Sequence, residues 1–258
     1  MSFNTTERGL INSPRVSVIM AVRGPAPWLQ EALHSVAHQT MESWELRVGV
    51  DGHDPDVIRT LEGFGSKVRW EVLPSGSGAS ACRNAALAGA RGQYSAVIDS
   101  DDTWDKNHLS QHLDAFMRSN SLVLRGTQAS LMNEQSQVVG TLKVPSRFLS
   151  PRLLLRNVFI HSSVMYRTEL ARDIGGYDAE INVGEDLALW LSLARFGQLE
   201  NAASRFVNYR HHGSQLSRAQ MTTRSSERIL QQRRLLAQQL HIPGYLANQV
   251  HKVWERWQ

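Results

Sequence analysis

Four short apolar runs alternate with four stretches of helical periodicity in the first 116 residues of the chain. The runs that predict buried strands lie at 16–22, 45–50, 68–73 and 94–98. The helical stretches lie at 28–39, 57–64, 80–90 and 104–116. A helix between two strands supplies the crossover that parallel pairing requires. The alternation therefore predicts an α/β fold, with a mostly parallel sheet flanked by helices.

The second half of the chain has a less regular pattern. Possible strands lie at 121–125 and 137–144, and a helix is predicted to begin at Glu185-Asp186. Beyond 208–214 the sequence becomes helical and basic. A length of 258 residues suits one α/β domain with an appended helical segment better than two equal domains.

The charge of the chain is distributed unevenly. Its net charge is +4, and residues 218–258 carry seven Lys and Arg side chains against Glu227 and Glu255. This segment is predicted to be a helical extension of a body that spans residues 1–217. A basic helix can pack on the body, pair two subunits in a homodimer or lie on an anionic membrane, and the sequence leaves these possibilities open.

Cysteine usage and hydropathy indicate the compartment. Cys82 is the single cysteine, so the chain cannot close an intrachain disulfide, which favours a reducing, cytoplasmic setting. Its first 15 residues contain no apolar segment typical of a signal peptide, and no run approaches the roughly 18 apolar residues of a membrane span. We therefore expect a cytoplasmic protein, with peripheral contact to the inner face of the membrane left open.

Residues 97–104, with the sequence VIDSDDTW, place three carboxylates in four positions: Asp99, Asp101 and Asp102. Adjacent carboxylates repel one another, so such a cluster is typically solvated or neutralised by a cation. The alternative is an acidic turn in which Asp101 or Asp102 caps the helix predicted at 104–116. Asp51 also follows a predicted strand, and ligands of parallel sheets bind beyond the carboxyl ends of strands. Two acidic strand ends at one edge indicate a site.

A dinucleotide-binding interpretation rests on the segment GSGASA. Gly76, Gly78 and Ala81 match the pattern G-x-G-x-x-A between a strand and a helix, and Asp99 follows at about the spacing of a ribose-binding acid. This pattern predicts an NAD-dependent oxidoreductase. Two β/α units precede the supposed first strand, however, and a single ribose-binding acid does not account for Asp101 and Asp102.

A phosphatase interpretation rests on the acidic cluster. Asp99, Asp101 and Thr103 match the D-x-D-x-T pattern of haloacid dehalogenase-type phosphatases, in which the first Asp is the nucleophile and the second an acid/base. That motif normally opens its chain, whereas about 100 residues precede it here.

Seven segments between Pro14 and about Ser217 support a third interpretation. In chain order they are RVSVIMAV, QEALHSVAHQT, ELRVGVDG, SGSGASACRNAALAGARGQY, VIDSDDTW, GGYDAEINVGEDLALWLSLARFG and YRHHGSQLS. Their order and spacing resemble those of the family 2 glycosyltransferases of GT-A fold. The resemblance implies a Rossmann-like domain over residues 1–217, with a nucleotide-binding half at 14–105 and an acceptor-binding half at 106–217.

The resemblance also implies roles for residues of the nucleotide-binding half. Asp51 would accept a hydrogen bond from the base, and Arg83 would lie near the base or the diphosphate. Asp101 would bind Mn²⁺ or Mg²⁺ together with Asp99 and His212, which is preferred to His211 because it directly precedes Gly213. The residues expected to bind the nucleotide are Ala21, Asp51, Arg83, Asp99 and Ser100.

In the acceptor-binding half, the resemblance places Asp186 as the general base that deprotonates the acceptor hydroxyl. Glu185 would bind the acceptor or hold Asp186. Trp190 is a candidate platform for sugar stacking, and a buried core tryptophan is the alternative. One displacement opposite the diphosphate would invert the anomeric configuration.

We therefore expect a metal-dependent, inverting glycosyltransferase that acts in glycan or surface polysaccharide assembly. Its donor would be a nucleotide-diphosphate sugar, with a UDP-sugar as the family's commonest choice, and its acceptor a glycan or other hydroxyl compound. No nucleic acid partner is expected. A departure from the family pattern leaves the base open, because Val50 occupies a position where the family often has an acid. A non-catalytic sugar-nucleotide binding module is the alternative outside enzymes.

Overall fold

The computed structural model describes residues 13–213 and 220–255. The four predicted β/α repeats are present, with small changes at their ends. The strands are β1 (Val16–Val22), β2 (Trp44–Asp51), β3 (Val68–Leu73) and β4 (Tyr94–Val97). The helices between and after them are α1 (Leu29–Ala37), α2 (Pro55–Glu62), α3 (Gly78–Ala88) and α4 (His108–Arg118).

The rest of the described chain adds five strands and five helices. The strands are β5 (Thr103–Trp104), β6 (Leu122–Met132), β7 (Val138–Leu142), β8 (Met165–Arg167) and β9 (Gln198–Arg210). The helices are α5 (Leu149–Leu153), α6 (Thr168–Asp173), α7 (Glu185–Leu193), α8 (Thr223–Gln239) and α9 (Gly244–Glu255). A 3₁₀ turn at His161–Ser163 precedes β8.

The strands form a mixed sheet in the order β3-β2-β1-β4-β8-β6-β9-β5, and β7 pairs with the outer part of β6. Strands β1 to β4 pair in parallel, while β8 is antiparallel to both β4 and β6. The carboxyl ends of β2 and β4 therefore meet at one edge, since parallel strands share a direction. Asp51 ends β2, and Asp99 follows β4 by two residues. This part of the prediction is confirmed.

The apolar side chains form two layers, one on each face of the sheet. Ile19 and Val97 belong to one layer, and Val18 and Met20 to the other, since neighbouring residues of a strand point to opposite faces. This burial on both faces explains why β1 reads as a continuous apolar run. Helices therefore cover both sides of the sheet, as the sequence predicts.

The C-terminal helices pack on the body of the protein. Ile229, Leu236 and Ala237 of α8, together with Ala247 of α9, are buried in the same apolar layer as the residues of α7. Three arginines of α8 also form polar or ionic contacts. Arg224 and Arg228 pair with Glu180, and Arg233 is fully buried against His251. The basic segment therefore packs on the body through apolar side chains of α8 and α9 and through the ion pairs of Arg224 and Arg228.

The region after the acidic cluster differs from the prediction. Helix α4 begins at His108 rather than at 104, so neither Asp101 nor Asp102 caps it. Thr103 and Trp104 instead form β5, which pairs with β9. Strand β9 was not predicted, because its buried and exposed side chains follow one another without a regular period.

None of the helices in the described ranges combines the length and apolar character that a membrane-crossing segment requires.

Trp104, His108 and His112 form a stack of aromatic rings just after the acidic cluster. The Trp104 and His108 ring centroids are 4.1 Å apart, and the His108 and His112 centroids are 4.5 Å apart. Both histidines are fully buried. Burial and the charge of Arg125 lower the pKa of His108 to about 3, and burial, His108 and Arg125 lower that of His112 well below its ordinary value. Both side chains are therefore neutral in the folded protein near pH 7.

We predict that acid destabilises the protein through this pair. The unfolded chain takes up protons on both imidazoles below pH 6.5, while the folded chain does not, so stability falls as pH falls from 7 to 5. The loss is about 2 kcal/mol for each histidine. Urea denaturation at several pH values should show a smaller pH slope for His108→Phe/His112→Leu. The exposed pair His34→Gln/His38→Gln is the matched control, and an equal reduction of the slope there would contradict the prediction.

A second prediction concerns the close approach of α3 to β2. Gly49 faces the backbone of Cys82, and a Cβ atom at Gly49 would overlap that backbone. Gly49→Ala should therefore force α3 away from the sheet and lower the free energy of unfolding by about 3 kcal/mol. Gly63→Ala is the control, because the nearest atom to its Cβ would be 3.4 Å away. Chemical denaturation measures both, and equal stabilities would refute the overlap.

Candidate functional site

The acidic cluster forms a tight turn beyond β4. The amide of Asp102 donates to the carbonyl of Asp99 across 3.2 Å, with Ser100 half-buried in the turn between them. The Asp102 side chain is buried and accepts a hydrogen bond from the Arg210 amide at 2.7 Å. Asp102 thus anchors the turn to β9, while the Asp101 side chain remains 27% exposed. The Asp99 side chain is 27% exposed as well, so both carboxylates remain within reach of a ligand.

His212 lies directly against Asp101. Its Nε2 is 2.8 Å from Asp101 Oδ2, and its ring packs on Trp28 with centroids 4.7 Å apart. His211, in contrast, is exposed. Burial and the nearby charge of Asp99 raise the pKa of Asp101, and the contact with His212 opposes that shift. The structure therefore brings together the two residues that the sequence places far apart.

Arg210 is a buried arginine that contacts the residues around this pair. No role was predicted for it from the sequence. The guanidinium is fully buried, lies 4.9 Å from the Trp28 ring centroid and pairs with Glu31 at 2.8 Å. Its Nε donates to the Asp101 carbonyl at 2.7 Å. Arg210 thus connects α1 to the acidic turn. Arg210 lies within the segment YRHHGSQLS, but no role was predicted for it there, because a local pattern does not show that an arginine is buried.

Asp99 lies in a cationic environment. Arg83 donates to its Oδ1 at 2.9 Å, and His161 Nδ1 lies 3.0 Å from its Oδ2. Burial by itself raises the pKa of Asp99, but the charges and hydrogen bonds of His161 and Arg83 outweigh it and hold this pKa well below its ordinary value. The carboxylate is therefore ionised, and it is already engaged by protein groups.

Arg83 also reaches the second half of the chain. Its other terminal nitrogen donates to Glu185 Oε1 at 2.7 Å, and its side chain is only 7% exposed. The solvent-facing position that a helix surface residue would have is therefore excluded. Burial disfavours the charged form, but Asp99 and Glu185 raise the pKa of Arg83. One guanidinium thus links the acidic turn to the start of α7.

His161 is a second residue that the sequence did not reveal. Its Nε2 lies 3.2 Å from the Tyr177 hydroxyl, while its Nδ1 faces Asp99. Its ring packs near Trp190, with centroids 6.1 Å apart. The residue precedes the short strand β8, in a segment without a recognisable period, so no pattern marked it.

Asp51 shapes the Gly/Ser loop before α3. Its Oδ1 accepts hydrogen bonds from the amides of Gly76 and Ser77 at 2.7 and 2.9 Å, and its Oδ2 accepts one from Gly78 at 3.3 Å. Gly76 and Gly78 have φ of 86° and 83°, a conformation that glycine adopts without strain. In the dinucleotide fingerprint such amides face a pyrophosphate. Here they face a carboxylate, which disfavours that interpretation.

Ala21 is the penultimate residue of β1, pairs with Gly49 of β2 and is half-buried. With Asp51 and the Asp99 turn, it lies at the carboxyl edge of the parallel strands. The expected nucleotide-binding residues therefore share one edge of the sheet.

Glu185 and Asp186 are the first two residues of α7. Gly184 precedes them with φ of 86°, and a Cβ there would meet Ile229 of α8, so the turn requires glycine. Asn157 Nδ2 donates to Asp186 Oδ2 at 2.6 Å. Burial and the charge of Glu185 raise the pKa of Asp186, and His161 opposes the shift. A carboxylate with a raised pKa is a stronger base, as proton abstraction requires.

Trp190 does not form a sugar platform. Its side chain is fully buried and packs against Phe159, Tyr166 and His161. Because α7 lies under the surface, the residue one turn after the acids points into the core. The prediction of a stacking role is wrong, and the core alternative is correct.

The donor set at Asp101 and His212 fits a divalent cation with additional ligands. In the described residues no group of three His, Cys, Asp or Glu side chains is placed to hold a metal. A carboxylate oxygen and an imidazole nitrogen do lie together, and this pair suits Mn²⁺ when phosphate oxygens complete the coordination. Asp99 is already bound by Arg83 and His161, which disfavours it as a direct ligand of a metal ion.

Comparisons with known proteins agree on one family. A family model described as Glycosyl transferase family 2 matches residues 17–175. The chain is 31% identical over 189 residues to a putative teichuronic acid biosynthesis glycosyltransferase, TuaG, of Bacillus subtilis, with 71% of this chain and 73% of the relative covered. It is 28% identical over 205 residues to the Escherichia coli UDP-Glc:alpha-D-GlcNAc-diphosphoundecaprenol beta-1,3-glucosyltransferase WfgD, with 78% of each covered.

Solved structures show the same fold. S. aureus TarS in complex with UDP-GlcNAc superposes with a TM-score of 0.70 at 19% identity, over 92% of this chain and 70% of that chain. The mannosyltransferase PcManGT from Pyrobaculum calidifontis, in complex with GDP-Man and Mn²⁺, gives a TM-score of 0.56 at 15% identity, over 75% of this chain and 55% of that chain. At these identities, the likeness concerns the fold alone.

We predict that the fold depends strongly on the Arg83 bridge. Arg83→Gln leaves Asp99 and Glu185 without their cation and should lower the free energy of unfolding by about 3 kcal/mol at pH 7. The pKa of Asp99 is lowered from its ordinary value of 3.8, so the ionised carboxylate stabilises the folded protein above that pH. The difference in stability between Arg83→Gln and the unsubstituted protein should therefore shrink as pH falls below about 4. Urea denaturation at pH 7 and at pH 3.5 measures both effects.

The control is Arg59→Gln, which removes another helical arginine from an exposed pair with Asp56. It should change the free energy of unfolding by less than about 1 kcal/mol. A loss at Arg83 no larger than at Arg59 would show that the buried bridge is dispensable.

Proposed function

The chain belongs to glycosyltransferase family 2 and has the GT-A fold, and from this premise we propose how its residues carry out the transfer. The protein is a glycosyltransferase, so the oxidoreductase and phosphatase interpretations are wrong, and so is the non-catalytic module. We propose that it moves a sugar from a nucleotide-diphosphate sugar to an acceptor hydroxyl. The observation that carries the proposal is the Arg83 bridge, which joins the acidic turn to the carboxylates of α7.

The donor diphosphate is proposed to lie at the Asp101–His212 pair. These two side chains would hold Mn²⁺ or Mg²⁺, and the bound cation would neutralise the charge on the leaving diphosphate. Trp28 and Arg210 keep His212 and the turn in place. The Mn²⁺ named for the mannosyltransferase with the same fold supports a divalent cation in this role.

The nucleoside is proposed to lie along the carboxyl edge of β1 and β2, near Ala21. Asp51 already accepts three backbone hydrogen bonds, so we propose that it holds the Gly/Ser loop against which the base rests, with its remaining lone pairs directed to the base. Ser100 lies in the turn that would face the ribose, and Arg83 orients Asp99 toward the same side. The UDP-sugars named for WfgD and TarS favour uridine.

The acceptor is proposed to bind at the start of α7. Asp186 would remove the hydroxyl proton, because its raised pKa makes it a competent base and Asn157 fixes its orientation. Glu185 is bound to Arg83 and therefore positions this end of the helix. A single displacement from the face opposite the diphosphate would invert the anomeric centre. The polysaccharide roles in the names of TuaG and WfgD favour a surface glycan as the acceptor.

We predict a separation of donor binding from catalysis between two variants. Calorimetry with UDP, GDP, dTDP and NAD should show one nucleoside diphosphate that binds only with Mn²⁺. Asp101→Asn should weaken that binding at least tenfold, because one carboxylate ligand is lost. Asp186→Asn should bind the same nucleotide normally but transfer sugar about 10² to 10⁴ times more slowly.

Asp114→Asn, an exposed carboxylate of α4, is the control and should leave binding and transfer unchanged. Metal-independent binding of NAD would overturn the proposal. So would normal metal-dependent binding by Asp101→Asn.

A further inference from the structure

A segment of unusual charge lies between the acidic turn and α7. Residues 135–168 contain no Asp or Glu but five basic side chains. Three of these, Arg147, Arg152 and Arg156, lie within residues 146–156, which we name the basic lobe. The lobe includes α5 and is followed at once by Asn157, the hydrogen-bond partner of Asp186.

A single side chain fixes both ends of the basic lobe. Asn201 Nδ2 donates to the carbonyls of Pro145 and Val158, each at 2.8 Å. The chain therefore leaves the body and returns to it at the same place. Leu149, Leu153 and Leu154 are buried and attach the lobe to the core beneath.

The opposite side of the lobe is both apolar and basic. The Arg152 amide donates to the Phe148 carbonyl at 3.2 Å, and the Arg156 amide donates to the Arg152 carbonyl at 3.1 Å. These residues follow one another at the spacing of a helical turn and lie on one side, with Leu155 beside them. Phe148 is 76% exposed and Leu155 is 54% exposed.

The backbone also holds Phe148 outward at a cost. Its φ is 55°, in the left-handed region that bulky side chains rarely occupy. A strained conformation that exposes an aromatic ring to water reduces stability, and such sites are typically associated with function. Folding alone therefore does not account for the position of this side chain.

The arginines of the lobe have no anionic partner in the described part of the chain. No ion pair or side-chain hydrogen bond joins Arg147, Arg152 or Arg156 to another described residue. In the C-terminal helices, by contrast, Arg224 and Arg228 pair with Glu180. Three arginines without an anionic partner in the described residues thus lie close together beside an exposed aromatic ring.

We propose that the basic lobe docks the enzyme on an anionic lipid surface. Arg147, Arg152 and Arg156 would contact lipid phosphates, while Phe148 and Leu155 enter the boundary between headgroups and acyl chains. Exposed arginines around an aromatic residue match the charge and the polarity gradient of such a surface. Since Asn157 joins the lobe to Asp186, docking here places the acceptor side of the enzyme next to the membrane.

The test measures cosedimentation of the full chain with vesicles, without donor, metal or acceptor. Vesicles of phosphatidylglycerol and phosphatidylcholine should bind the protein, whereas pure phosphatidylcholine should bind it far more weakly. Each arginine near an anionic surface contributes about fivefold, so Arg147→Gln/Arg152→Gln/Arg156→Gln should weaken binding about 100-fold. Phe148→Ser should weaken it several-fold at high salt, where the apolar contribution remains.

A matched control removes the same number of charges elsewhere. Arg69, Lys106 and Arg118 are exposed and lie outside the lobe, and Arg69→Gln/Lys106→Gln/Arg118→Gln has the same net charge as the lobe variant. It should retain vesicle binding within a factor of a few. An equal loss in both triple variants would reduce the effect to net charge and overturn the proposal.

Two further results would also overturn it: equal binding to both kinds of vesicle, or lobe-dependent binding of heparin with no binding of vesicles. Vesicle binding involves none of the residues assigned to transfer. The lobe variant should therefore keep its metal-dependent nucleotide binding, and a failure of the proposed transfer reaction would leave the vesicle result unaffected.

Discussion

The site depends on one buried guanidinium. Arg83 stands on α3, which packs closely on β1 and β2, and it binds Asp99 beyond β4 and Glu185 at the start of α7. Without this cation, two carboxylates from separate halves of the chain would face each other with little solvent between them, an arrangement that burial makes costly. The same ion pairs therefore neutralise the two acids and fix the distance between the acidic turn and the start of α7.

A second buried arginine has a similar role on the other side of the turn. No role was predicted for Arg210 from the sequence, yet it contacts Glu31, the Trp28 ring and the Asp101 carbonyl at once. Each acid of the turn thus has a distinct partner: Asp99 has a cation, Asp101 has His212, and Asp102 has a backbone amide. Asp99 and Asp101 are equally exposed, but Arg83 already neutralises Asp99, so Asp101 is the better candidate to bind a cation.

Local pattern was sufficient for the first half of the fold and insufficient for the second. Strands β1 and β3 match their predicted limits because each is a short apolar run between turns. Strand β9 was missed because its thirteen residues mix buried and exposed side chains irregularly along their length. Trp190 shows the same limit for side chains, since the helical period places it one turn after the acids but does not say which face of α7 is covered.

The sequence alone determined the α/β fold, the family resemblance and the acidic strand ends, since strand and helix periods and short motifs are local properties of a chain. Only the tertiary structure decided which side chains meet those acids. His161 reaches them from a segment without a motif, Arg210 from a segment in which no role was predicted for it, and Arg83 proved to be a buried bridge between two carboxylates. Contacts between residues about a hundred positions apart depend on how the sheet is assembled, and no local pattern encodes that assembly.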